Sequence, residues 1–129
     1  MTDKQKKILR KSQQGELDAV VMYQKLADRI NNPEIAEQLR KIAQDEGRHA
    51  SVFRSLTKEN LRPRSTQASL ICFLLKILGP KRLFRLMAKG EYRATETYEP
   101  VVKDFAQVGS VLQDEGKHGD KLMELSKLF

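Results

Sequence analysis

The chain has 129 residues, enough for one domain with a real core and too few for two such cores. With 40% hydrophobic and 32% charged residues, seven glycines, four prolines and no tryptophan, it reads as a helical protein, not a disordered or fibrous one. The net charge of +7 does not mark a nucleic-acid binder. Residues 58–89 alone hold eight Lys/Arg against one acidic residue, and that segment is heavily apolar, its single aromatics Phe73 and Phe84 being explained by packing.

In chain order, Leu9, Gln13, Glu16, Val20, Tyr23, Leu26 and Ile30 form the seam of a first amphipathic helix. Asn31-Asn32-Pro33 signals a turn. Ile35, Leu39, Ile42, Glu46, His49, Phe53 and Leu56, stepping by four and three, give a second helix. A long, partly helical connector follows, with an apolar run from Leu70 to Leu78 and a Gly79-Pro80 break. Phe84, Met87, Glu91, Ala94 and Tyr98 give the third helix, with a turn expected near Pro100–Asp104. Phe105, Val108, Leu112, Glu115, His118, Leu122, Leu125 and Phe129 give the fourth. The expected organisation is one all-α domain over 1–129, with a hairpin at about 3–57, a connector at 58–80 and a second hairpin at 81–129.

The hairpins are copies of one another. Gly15-Glu16-Leu17-Asp18-Ala19 through Tyr23 shares its Gly-Glu-x-x-Ala-x-x-x-Tyr skeleton with Gly90-Glu91-Tyr92-Arg93-Ala94 through Tyr98, and Gln44-Asp45-Glu46-Gly47-Arg48-His49 is echoed by Gln113-Asp114-Glu115-Gly116-Lys117-His118. Position 31 lies midway between Glu16 and Glu46, so an antiparallel hairpin brings those two glutamates to one height. Two hairpins joined by one long crossover make a four-helix bundle.

Six ionisable side chains, Glu16, Glu46, His49, Glu91, Glu115 and His118, occupy seam positions where apolar residues are expected. An unpaired buried carboxylate costs roughly several kcal/mol, so four of them outweigh a typical domain stability of ~5–15 kcal/mol. No Lys or Arg shares those seams at that height, whereas two divalent cations supply four compensating charges. Each Glu-x-x-His places an oxygen and a nitrogen ligand on the same side of its helix. A glutamate from each of two helices plus a Glu-x-x-His from each of the other two is a di-iron or di-manganese ligand set, and its mixed donors favour Fe or Mn over Cu or structural Zn. The expected roles are bridging for Glu46 and Glu115 and terminal ligation for the other four. Asp45 and Asp114 are candidates to orient the imidazole of the opposite motif, and Tyr23 and Tyr98 to hydrogen-bond a ligand carboxylate; as seam tyrosines the latter pair are equally ordinary core residues.

At these motifs the chain resembles the ferritin-like superfamily, and most closely the rubrerythrin-type di-iron domain. The resemblance implies iron at the six residues and a redox protein that oxidises Fe(II) with O2 or hydrogen peroxide, in oxidative-stress defence or iron handling. Two departures stand out. Where rubrerythrins commonly carry a further glutamate, three residues beyond the position of Glu91, this chain has Ala94, which makes the site resemble the four-Glu, two-His ferroxidase type. Cys72 is the only cysteine, so these residues hold no rubredoxin-type site, and an external electron donor, another protein or ferrous iron itself, is expected. The lone cysteine and the absence of a signal-like apolar core near Met1 fit a cytoplasmic protein.

The connector is similar to the corresponding stretch in ferritin-like domains of vacuolar-iron-transporter-like proteins, although its nine-residue apolar run is too short to span a bilayer. Residues 70–89 are expected either to cover the bundle or a homodimer interface, or to lie on an anionic membrane surface as a peripheral contact on the inner face. A delivery or sensing module without turnover is the alternative function. A weaker likeness to demethoxyubiquinone hydroxylase adds a di-iron hydroxylase of a quinone-like lipid.

Overall fold

A computed structural model describes residues Met1–Phe129. The chain is all-α, as the periodicity predicts, with α1 (Asp3–Asp28), α2 (Pro33–Thr57), α3 (Thr66–Val102) and α4 (Val108–Ser126). It divides into two compact units, Met1–Phe73 and Leu74–Phe129.

In the first unit, α1 starts where Thr2 and Gln5 form a reciprocal capping box: the Thr2 hydroxyl accepts from the Gln5 N–H, and Gln5 Oε1 accepts from the Thr2 N–H. The Asn31-Asn32-Pro33 signal behaves as expected. Asn32 caps α2 by accepting from the N–H groups of Glu34 and Ile35, and Pro33 occupies the first helical position, where its missing donor costs nothing. Helices α1 and α2 pack as a hairpin. Leu9, Met22, Tyr23 and Leu26 on one helix and Ile35, Leu39, Ile42 and Phe53 on the other are all buried. The first helix therefore ends at Asp28, before the Ile30 of its sequence seam.

The segment between α2 and α3 is strapped to α1 by polar side chains. Gln13, itself buried, donates to the Glu59 carbonyl and accepts from the Thr57 hydroxyl. Gln14 donates to the Arg62 carbonyl. Asp18, also buried, accepts from the Arg64 backbone N–H at 2.7 Å, from Arg64 Nε and Nη2 at 3.0 and 2.8 Å, and from Gln14 at 2.9 Å. A carboxylate with four donors is a well-satisfied buried charge.

The connector turns helical at Thr66, and α3 then runs to Val102 with one interruption. Gly79 has φ 78° and ψ 164°, which breaks α3 into arms at 66–78 and 80–102. That conformation is open essentially to glycine alone, and Pro80 follows at the start of the second arm. In the second unit, Leu83, Phe84, Met87, Tyr98 and Val101 of α3 and Val108, Val111, Leu122 and Leu125 of α4 are buried. Phe84 meets Phe129 edge-on at 5.4 Å between ring centres. The turn between α3 and α4 lies at 103–107, later than the sequence suggests. Pro100 remains inside the last turn of α3, and Phe105 falls in the turn and not on α4.

Candidate metal centre

Each unit carries one glutamate opposite one Glu-x-x-His. In the first, α1 supplies Glu16 and α2 supplies Glu46 and His49. The Nδ1 of His49 lies 3.5 Å from Glu16 Oε2 and 3.3 Å from Glu46 Oε1. In the second, α3 supplies Glu91 and α4 supplies Glu115 and His118, with His118 Nδ1 3.8 Å from Glu91 Oε2 and 3.5 Å from Glu115 Oε1. Within each trio one ligand atom from every residue falls inside 4.8 Å of the others.

All six side chains are between 1% and 7% exposed, so these charges are held out of water. The three-residue spacing accounts for the local geometry: residues three apart share a helix face, and the glutamate of the neighbouring helix arrives at the same height across the hairpin. In both units the same imidazole nitrogen, Nδ1, faces the carboxylates. Carboxylate oxygens converging with an imidazole nitrogen suit a hard or borderline divalent ion such as Fe(II) or Mn(II), and the donor set of each trio fits one. These buried Glu/His clusters are able to bind metal.

The other sequence candidates fall around these trios. Tyr23 and Tyr98 are buried in the cores of their units. Asp45 and Asp114 are half-buried, and Asp45 accepts from Arg48 Nη1 at 2.9 Å on its own helix. Beside the second trio sits a contact that sequence reasoning misses. The Tyr92 ring lies over Gly119, where an added Cβ would come within 2.5–2.8 Å of three ring carbons, and its hydroxyl donates to Asp120. That hydrogen bond, and to a lesser degree burial and the carboxylate's charge, raise the phenol above its ordinary range. Tyr92 and Asp120 lie next to Glu91 and two residues beyond His118, so the contact ties α3 to α4 at the level of the ligands.

Comparison with known proteins agrees with the chemistry. A family model described as Rubrerythrin matches residues 7–126. Reverse rubrerythrin-1 of Clostridium acetobutylicum is 35% identical over 117 residues, covering 81% of this chain and 62% of that protein, so the chain spans less than two thirds of this relative's length. No solved structure matches. With a duplicated Glu and Glu-x-x-His set on four helices and a family match over nearly its whole length, the chain belongs to the rubrerythrin family of ferritin-like di-iron domains.

Proposed function

We propose that Glu16, Glu46, His49, Glu91, Glu115 and His118 would together hold two iron ions in a single domain spanning 1–129. The observation that carries this reading is the repetition of one trio in both units, each with an imidazole Nδ1 3.3–3.8 Å from two buried carboxylates. Two divalent cations offset the four carboxylate charges, which is what makes their burial tolerable.

When bound, a ferrous pair supplies electrons for reduction of O2 or hydrogen peroxide. The chain's own groups set the conditions for that chemistry. For ligation through Nδ1, His49 and His118 would present that nitrogen's lone pair and keep the proton on Nε2. The four glutamates would act as carboxylate ligands. Burial of all six excludes bulk water from the ligand atoms. Asp45, Asp114, Tyr23 and Tyr98 orient these ligands from the next layer out. Electrons return from an external donor or from ferrous substrate, in a cytoplasmic role in oxidative-stress defence or iron handling.

Anaerobic loading with Fe(II) and exposure to air or peroxide, followed by repeated further additions of Fe(II) and oxidant, tests the reading. Iron oxidation that recurs with each addition of Fe(II) supports a turnover protein. A single stoichiometric oxidation, or none, assigns the chain to metal delivery or sensing.

A further inference from the structure

Outside the metal ligands, the first unit carries an open groove of about 1210 Å³ between the first half of α1 and the strap that leads into α3. Five cations line it: Lys6, Lys7, Arg10 and Lys11 from α1, and Arg64 from the strap. Its two carboxylates are already engaged, Asp18 by Arg64 and Glu59 by Arg10 at 3.2 Å. Lys6, Lys7 and Lys11 are exposed and form no ion pair. The groove therefore keeps a surplus of positive charge that no group of its own unit neutralises.

Its far edge is apolar. Leu70 lines the groove and is 54% exposed, and Phe73, three residues on and hence on the same face of α3, is 57% exposed. A cationic groove continuous with an exposed leucine and phenylalanine is the composition of a surface that meets lipid headgroups and the first carbons of acyl chains together. We propose that this face of the first unit seats the protein on an anionic lipid membrane, with Lys6, Lys7 and Lys11 among the headgroups and Leu70 and Phe73 inserted at the hydrocarbon boundary.

The charge pattern selects this occupant over a second copy of the chain. The groove has five Lys/Arg against two carboxylates that are already paired with Arg10 and Arg64, so a twofold contact through this face brings Lys6, Lys7 and Lys11 against their own copies with no unpaired carboxylate to relieve them. No helix is long and apolar enough to cross a membrane, so this face would meet the lipid from the surface. The groove is wide and open, which suits a fluid headgroup layer that needs no matching shape. The proposal is independent of the metal reading, since it uses none of the six ligands.

Co-sedimentation of the full chain with vesicles of phosphatidylcholine alone, or mixed with phosphatidylglycerol, tests it. Binding is expected only with the anionic mixture, and to weaken as salt rises. The double variant Lys7→Glu/Lys11→Glu should bind at least roughly tenfold more weakly, given about a tenfold loss of affinity for each 1.4 kcal/mol and ~1 kcal/mol for each basic residue near such a surface. Phe73→Gln should also weaken binding while leaving the thermal unfolding of both variants, followed by circular dichroism, close to the parent's. Absence of binding to the anionic vesicles, equal binding to both compositions, or wild-type binding by both variants overturns the proposal. So does a dimer in analytical ultracentrifugation that Phe73→Gln converts to monomer, because the face then belongs to a second copy.

Discussion

If buried carboxylates are tolerated because cations compensate them, metal must stabilise the fold and each ligand glutamate must destabilise the metal-free protein. Divalent metal at a free concentration one hundred times its dissociation constant adds about 2.7 kcal/mol per site. For 129 residues, an unfolding entropy of roughly 2.1 cal/mol/K per residue converts that to about 10 °C per ion, or about 20 °C for two. Glu46 is 2% exposed and lies beside His49, so Glu46→Gln removes a desolvated charge while keeping the side chain's shape. In metal-free protein this variant should melt a few degrees higher than the parent, on the order of 1 kcal/mol, yet respond far less to metal. The assay is anaerobic thermal unfolding followed by far-ultraviolet circular dichroism, with and without Fe(II) or Mn(II). A parent shift under roughly 2 °C at saturating metal, or a Glu46→Gln shift equal to the parent's, would refute the charge-compensation argument.

Two further substitutions probe the scaffold. Gly79→Ala has open space for its methyl group but must adopt φ 78°, ψ 164°, so chemical denaturation should show a loss of about 1–3 kcal/mol from backbone strain alone; an unchanged midpoint would mean that the break in α3 relaxes freely. Tyr92→Phe removes the hydroxyl that donates to Asp120. Because the folded protein raises this phenol's pKa, the favourable contribution is complete below the ordinary value of about 10 and is lost as pH rises from there through the folded value. The stability gap between parent and variant should therefore be constant near neutrality and shrink in alkali, and a gap that widens there would contradict the assigned hydrogen bond.

The features legible in the sequence were those written locally or repeated. Asn32-Pro33 specifies both cap and first helical turn, and the recurrence of Glu-x-x-His at a seam position marks the helices that carry both trios. The equal spacing of Glu16 and Glu46 about residue 31 places the two at one height, and in the structure both carboxylates lie within 3.5 Å of His49 Nδ1. What escaped depended on the path of the connector or on one side chain crossing to another helix. Asp18 reads as an ordinary solvated acid until the strap carries Arg64 back across 46 residues to meet it. The cationic groove was likewise hidden, because its lysines and Arg64 come from segments more than fifty residues apart. Gly79-Pro80 announced a break correctly, but Pro100 did not end α3. A proline in the last turn forfeits one hydrogen bond, and the helix proceeds two residues further.

The Tyr92–Gly119 contact bears on how the two halves of the gene diverged. In the repeat, Tyr92 corresponds to Leu17 and Gly119 to Ala50, so the copy that has tyrosine in place of leucine has glycine in place of alanine on the partner helix. The halves have exchanged bulk across a helix pair, a compensated change of the kind a packed interior accepts only when both members move together. A chimaera that transplants one side of this exchange without the other inherits a clash or a void.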